Sequence, residues 1–429
     1  MGLQLREKRI KILTISDHPL LPSGVGTQTK YMIEALLESQ QFEVISLGGA
    51  IQHPSYEPMR TEEWGDKWTI YPCDGYADKN IVREVIRTHE PDILYFMTDP
   101  RFYDWLWDME DEIRQSVPMI YYHVWDNFPA PMYNDRWYSS NDMIATISKV
   151  TSKIVQTVSP DVRERYIPHS VNTEIFKPLT SNKDLENLKQ LRVENFGQAS
   201  KDKFVFFWNN RNARRKQSGS LIWWFKKFLD RVGHDKAALV LHTDTNDPNG
   251  QPLDYLVHEW GLDTQGQVFF STNKVPPNQL ALLYNMADCT LNISDAEGFG
   301  LATLESLACG TPIVVTMTGG LQEQVTDGDD WFGAGIEPCS KAIIGSQTVP
   351  YIFEDRISEE DFVDTLEKIY NTPKDGIRKM GELGREHVMK NYNYETFKES
   401  WVNTMLELHE HCGSWETRKN YKSWRVSTL

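Results

Sequence analysis

The sequence predicts an α/β protein built of two successive parallel sheets with helices on both faces. Three observations lead there. Short apolar runs alternate with segments of helical period. The alternation pauses once, in a polar stretch at 172–203, and then resumes. The length of 429 residues also exceeds the ~250–300 at which a single core stops growing.

The first series opens with Ile10 to Ser16, an apolar run that reads as a buried strand. A loop with Pro19, Pro22, Gly24 and Gly26 follows. Thr27 to Ser39 then carries apolar residues at helical spacing, at Met32, Ile33, Leu36 and Leu37. Phe42–Leu47 and Trp68–Tyr71 read as strands, and Asn80–Thr88 as a helix. Ile93–Met97, after the break at Pro91, Met119–His123 and Met143–Ile147 complete the strands. A helix around Thr151–Thr157 follows the last of these. Within the polar stretch, Lys183–Glu194 reads as a helix. The second series has strands at Phe204–Trp208, Ala238–His242, Val268–Phe270, Thr290–Ile293 and Ile313–Thr316. Its helices are Leu221–Leu229, Pro277–Met286 and Leu301–Ala308, and further helices run from Glu359 to His411. The expected domains are 1–171, a linker at 172–203, a second domain at 204–390, and a C-terminal helix and tail at 391–429 that cross back to the first. The tail holds Arg418, Lys419, Lys422 and Arg425, read as a frayed, solvated end.

Composition narrows the class. Hydrophobic residues make up 40% and charged residues 25%, a globular mix. The net charge of −16 disfavours binding to nucleic acid or anionic membrane through surface charge alone. Cys73, Cys289, Cys309, Cys339 and Cys412 form no CxxC pair, so neither a zinc knuckle nor a disulfide framework is expected. A reducing, cytoplasmic location fits. No apolar run is long enough to span a membrane, and Met1–Lys11 lacks the apolar region of a signal peptide. The early tryptophans Trp105, Trp107, Trp125 and Trp137 fit either an aromatic cleft or core packing.

Open parallel sheets bind ligands beyond the carboxyl ends of their strands. Two such domains are expected to put their loops around one interdomain cleft. The most informative segment there is Glu297-Gly-Phe-Gly-Leu-Ala-Thr-Leu-Glu305. Gly298 and Gly300 let backbone approach a ligand closely. The helix that starts near Gly300 offers free N–H groups to a phosphate. Glu305 can accept hydroxyl hydrogen bonds, although a Glu at a helix start also pairs with the helix dipole. Arg211 and Lys216 lie in Trp-Asn-Asn-Arg-Asn-Ala-Arg-Arg-Lys, a basic loop in an acidic protein. Arg grips phosphate bidentately and Lys adds a point charge. Arg214 and Arg215 read as solvent-facing. Pro22-Ser-Gly-Val-Gly26 is a flexible strand-to-helix turn and lacks the third glycine of a dinucleotide site. His123 ends a strand beside Asp126 and Asn127, where ligands belong. No Asp-x-Asp pair follows a strand, because Asp244-Thr-Asn-Asp247 is loosely spaced, and no metal is expected.

The Glu-x7-Glu segment resembles the signature of the retaining glycosyltransferases of family 4 (glycosyl transferases group 1), which have the GT-B fold of two facing Rossmann-like domains. The run Ser306-Leu-Ala-Cys-Gly-Thr-Pro-Ile-Val-Val315 is similar to its continuation. Thr318-Gly-Gly-Leu-Gln-Glu323 resembles its G-G-x-x-E loop, and Tyr284-Asn-Met-Ala-Asp288 its Y-x-x-A-D helix end. Ile167-Pro-His-Ser-Val-Asn172 resembles its hinge. Ile293 stands where the family usually has Pro, and Asn210 where it has Gly.

The resemblance implies roles. Glu297 contacts the donor sugar and Glu305 the ribose, while Phe299, Gly300 and Leu301 present backbone donors. Arg211 and Lys216 neutralise the leaving diphosphate, and Gly24 and Gly26 approach it from the first domain. His123 touches the sugar, Asp126 the acceptor, and Thr272 borders the nucleotide. The expected activity is retaining transfer of a hexose-type sugar from a nucleotide-diphosphate donor to a hydroxyl acceptor such as a glycan, without a cofactor. UDP ranks before GDP on family frequency. The alternatives are a sugar transferase acting on DNA and a non-catalytic carbohydrate- or nucleotide-binding protein.

Overall fold

The structure, a computed structural model, describes residues 8–198, 202–347 and 349–423. The chain falls into two compact units. The first comprises the chain up to Trp125, Pro129–Ser170 and the chain from Tyr394 onward. The second comprises Asp126–Phe128 and Val171–Asn393.

The first unit is built on strands β1 (Ile10–Asp17), β2 (Phe42–Gly49), β3 (Met59–Arg60) and β4 (Trp68–Pro72). It continues with β5 (Ile93–Met97), β6 (Met119–His123), β7 (Met143–Thr146) and β8 (Glu164–Tyr166). Their order across the sheet is β3-β4-β2-β1-β5-β6-β7-β8. All neighbours are parallel except the β3–β4 edge pair. Every residue of β5 and β6 is buried, because helices cover both faces and a parallel strand must then be apolar throughout. The sheet winds outward in both directions from the β1–β5 boundary.

The tryptophan-rich stretch packs into this core. Trp107 stacks on Trp137 with ring centroids 5.5 Å apart and meets Tyr121 edge-on. Trp107, Tyr103 and Tyr121 all belong to one buried cluster. Of the two readings these residues allowed, core packing holds for Trp107 and Trp137.

The second unit has strands β9 (Phe204–Asn209), β10 (Ala237–His242), β11 (Val268–Ser271), β12 (Cys289–Asn292), β13 (Ile313–Thr316) and β14 (Gly333–Ile336). Their order is β11-β10-β9-β12-β13-β14, all parallel. The switch in winding direction falls between β9 and β12. A two-stranded antiparallel hairpin, β15 (Ser340–Ile344) and β16 (Ile352–Arg356), follows β14. The polar stretch after residue 171 forms part of this unit. Its helix Asn182–Phe196 is tied down by Arg192, which donates to Met286 O and Asp288 Oδ2, each at 2.7 Å.

Helix Tyr394–Cys412 packs on helix Gly24–Glu38. Its Trp401 is wholly buried against Tyr95 and Tyr122. As far as Ser423 the tail beyond it, expected to be frayed, is docked instead. Arg418 Nη2 donates to Asp142 Oδ1 at 2.8 Å, and both side chains are almost fully buried. Asp142 also accepts from Arg114 Nε at 3.1 Å and Met119 N at 2.9 Å. Trp415 N donates to Asp92 at 3.0 Å. A charge on Arg418 thus serves as a buried anchor, a use that basic composition alone does not distinguish from solvation. Residues before Lys8, and Arg425, lie outside the described residues.

Breaking a buried ion pair from one side leaves an uncompensated charge. Asp142→Ala is expected to destabilise the first unit by about 3 kcal/mol or more, read as a lowered urea midpoint in its unfolding transition.

Candidate functional site

In the second unit the candidate residues gather where the winding direction changes, the place where open α/β sheets bind ligands. The loop after β9 carries Arg211 to Lys216, and the loop after β12 carries Glu297 to Gly300. Lys216 Nζ forms an ion pair with Glu297 Oε2, and both side chains are largely buried. Asn292 Nδ2 donates to the same oxygen at 3.5 Å. Burial by itself would raise the Glu297 carboxyl. The adjacent Lys216 and Arg215 cations outweigh it and hold the group below its ordinary value.

The two loops are joined by backbone as well. Asp295 N donates to Arg215 O at 2.8 Å, and Arg215 Nη1 donates to Ala296 O. Arg211, expected to act with Lys216 on a diphosphate, is exposed and bonded through Nε to Asp247 Oδ2 at 2.6 Å. The cation that reaches the Glu297 loop together with Lys216 is Arg215. Arg214 grips Glu354 of β16 with two hydrogen bonds of 2.9 and 2.7 Å. Arg214 and Arg215 are exposed, as read from the sequence, and both are also engaged, because the hairpin and the Asp295–Ala296 backbone supply acceptors that lie far away in the sequence.

The hairpin completes a polar brace. Glu354 and Asp295 are both buried, and Arg356 pairs with each, at 3.0 and 2.8 Å. Gln217 Nε2 donates to Asp295 at 2.7 Å. Burial still pushes the Asp295 carboxyl up to about 6, against the pull of Gln217 and Arg356.

Helix Leu301–Ala308 starts at Gly300, whose φ of +93° puts it in the left-handed region. It has no side-chain cap, in contrast to the Ser-capped helices Lys149–Val158 and Glu359–Tyr370. Phe299 and Gly300 are held from below. Gln324 Nε2 donates to Phe299 O at 2.7 Å, and Thr303 Oγ1 to Gly300 O at 2.8 Å. Gly319 has a φ of +48°, and a Cβ there would lie 1.8 Å from Glu297 O. Gly320 N donates to that same carbonyl at 3.1 Å. The G-G loop is thus a cradle for the Glu297 backbone.

Glu305 accepts from Tyr284 OH at 2.8 Å, and Asn209 Nδ2 at the end of β9 donates to that phenol oxygen at 2.8 Å. Burial pushes the Glu305 carboxyl up to about 7 even with the Tyr284 bond. Thr272 follows β11 at the sheet edge and is exposed. Asp126 belongs to this unit. Its Cβ is 3.6 Å from the Cβ position of Gly319, and its charge acts on Lys216. Sequence reasoning missed Arg215, Asn209, Asn292 and the brace residues Asp295, Glu354 and Arg356. The Tyr284 motif was the one available signal for the relay to Glu305.

The remaining candidates lie in the first unit, each at the carboxyl end of a strand. His123 closes β6 and is completely buried. Its Nε2 bonds Tyr138 OH at 2.5 Å, while Nδ1 has no partner among the described residues. Burial pushes its pKa down to about 3, so the ring is neutral near pH 7. Gly24 and Gly26 form the first turn of the helix after β1. Ser23 Oγ caps that helix by accepting from Gly26 N at 2.9 Å, and it donates to Asp17 at 2.6 Å. Among the described residues no cluster of three or more His, Cys, Asp or Glu could hold a metal ion. No described helix is long and apolar enough to cross a membrane.

Comparison with known proteins addresses this same region. The family model described as "Glycosyl transferases group 1" matches residues 193–386. The second unit carries a glycosyl transferases group 1 domain. All the site residues from Arg211 to Glu305 fall inside it. The D-inositol 3-phosphate glycosyltransferase of Acidothermus cellulolyticus is 47% identical over 55 residues, 13% of this chain and 12% of that protein. The protein of the same name from Corynebacterium jeikeium is 36% identical over 105 residues, 24% of each chain. These alignments thus span 12% and 24% of the relatives' own length.

Solved structures match over nearly the whole chain. Sucrose-phosphate synthase from Thermosynechococcus elongatus superimposes with a TM-score of 0.72 at 17% identity, covering 94% of this chain and 100% of the other. HepE of Anabaena, solved in complex with UDP and glucose, gives 0.65 at 15% identity, covering 93% and 100%. The fold is GT-B, with two Rossmann-like units, one of them holding the group 1 domain.

Two outcomes test this geometry. Gly319→Ala forces a left-handed backbone and a clash with Glu297 O, and is expected to cost more than about 2 kcal/mol, read by urea denaturation. Glu305 has a folded pKa raised from 4.5 to about 7. Its contribution to stability is therefore complete below the unfolded pKa and is lost as pH rises through about 7. Glu305→Gln cannot ionise, so its melting temperature relative to wild type should climb between pH 5 and pH 8.

Proposed function

We propose that this protein is a retaining glycosyltransferase that moves a hexose-type sugar from a nucleotide-diphosphate donor to a hydroxyl acceptor such as a glycan. UDP is the first choice of donor nucleotide and GDP the second. The observation that carries the reading is the buried Lys216–Glu297 pair beside the uncapped helix at Gly300, within a group 1 domain. The HepE structure contains UDP and glucose, which favours a uridine donor.

In this reading Lys216 and Arg211, with Arg215, balance the charge of the departing diphosphate. The N–H groups at Gly300 and Leu301 add donors to its oxygens. Glu297 and His123 orient the sugar, and Glu305 holds the ribose. Gly298 and Phe299 supply close backbone contact, Thr272 borders the base, and Gly24 and Gly26 leave room for the diphosphate. The bond from the anomeric carbon to the diphosphate oxygen breaks. The acceptor oxygen bonds to that carbon on the same face, and its proton passes to the departing phosphate. The neutral His123 suits a hydrogen-bond role, because a ring with a pKa near 3 does not supply a proton at pH 7. The reading extends to a cytoplasmic location and to a reaction without a metal or cofactor.

A screen of UDP- and GDP-sugars that measures released nucleoside diphosphate tests the assignment. Wild type should turn over at least one donor. Lys216→Ala and Glu297→Ala should each lower the rate about 100-fold or more, as expected for loss of a group that stabilises developing charge. Rates unchanged in both variants, or no turnover with any donor, would refute it.

A further inference from the structure

The Glu305 carboxylate is not positioned by its own helix alone. Its Oε2 accepts from the phenol of Tyr284 at 2.8 Å, and Tyr284 is completely buried. The phenol has a single proton. Asn209 Nδ2 donates to its oxygen at 2.8 Å, so that proton is left to point at Glu305. Three elements meet in this relay: the end of β9, helix Pro277–Met286 and helix Leu301–Ala308. Asn209 ends β9 and immediately precedes the loop that carries Lys216. With Oε2 occupied, Oε1 is the carboxylate oxygen left without a protein partner among the described residues.

We infer that Tyr284, oriented by Asn209, is a positioning residue that fixes the Glu305 carboxylate so that Oε1 receives the hydroxyls of a donor ribose. The inference rests on the proposed function and deepens it. A buried carboxylate free to rotate about its last torsion offers a ligand an unfocused acceptor. One that is pinned through one oxygen presents the other in a single direction, which lowers the ordering cost of binding. Loss of the phenol oxygen should therefore weaken ribose recognition without touching diphosphate recognition.

The test compares the affinity of UDP with that of 2′,3′-dideoxy-UDP, and of GDP with 2′,3′-dideoxy-GDP, by calorimetry on the full chain. The two members of each pair carry the same phosphates and base, so their ratio isolates the ribose hydroxyls. Wild type should prefer the hydroxylated nucleotide by about tenfold or more, as for hydrogen bonds to a charged group. Tyr284→Phe, which removes one oxygen and keeps the ring, should reduce that preference to about threefold or less. Asn209→Ala should reduce it in the same direction, and it serves as a second route if the phenylalanine variant folds poorly. In a Glu305→Gln background, Tyr284→Phe should change the ratio no further, because the relay then has no carboxylate to aim.

A preference retained in both Tyr284→Phe and Asn209→Ala overturns the inference. So does an equal further loss in the Glu305→Gln background, which would mark Tyr284 as a general packing residue. A wild type that binds both members of a pair equally overturns the inference, together with the ribose role of Glu305, and leaves nucleotide binding and the proposed sugar transfer standing. A wild type that binds neither pair overturns both.

Discussion

The ion pair between Lys216 and Glu297 is the constraint around which the second unit is arranged. Each charge, taken alone, would be expensive to bury, and each is tolerable because the other is there. The pair bridges loops from β9 and β12, which begin their courses in opposite directions across the sheet. Holding two charges together across that divergence requires both loops to be fixed. The structure meets this requirement three times over. The Arg215 and Asp295 backbones bond to one another, the Gly319-Gly320 loop cradles the Glu297 carbonyl, and the β15–β16 hairpin clamps Arg214 and Asp295 from the far side.

The same economy governs the other cations of the basic loop. In a chain of net charge −16, Arg211, Arg214 and Lys216 each rest on a carboxylate. Those pairs hold the loop in place. The Arg211–Asp247 contact is exposed on the arginine side, where water screens it.

Much of the architecture was legible in the amino-acid order. Buried parallel strands are continuous apolar runs, so β5, β6 and β13 stand out with almost unchanged limits. The Glu297–Glu305 segment is local in sequence, and its neighbours in space include residues from the same stretch. What escaped was set by distance along the chain. Glu354 and Arg356 belong to a hairpin whose strands are short and half-exposed, with no strong alternation to mark them. Nothing in the order Arg211 to Lys216 tells which arginine faces the Ala296 carbonyl and which faces Asp247, because those acceptors come from other loops. The docking of Arg418 depended on Asp142, 276 positions earlier, and a basic residue near an end of a sequence carries no sign of such a partner.

The first unit is assembled from pieces that flank the second. Its sheet is laid down early in the chain, yet the helix that buries Trp401 against Tyr95 and Tyr122 follows the whole of residues 171–393. During synthesis on the ribosome, the group 1 domain has all its strands available while the earlier sheet still lacks its cover. The nascent chain must therefore carry an apolar sheet face, lined by tyrosines, through the time needed to translate more than half the protein. That order of events makes the later-folding half of the molecule the one whose sequence comes first.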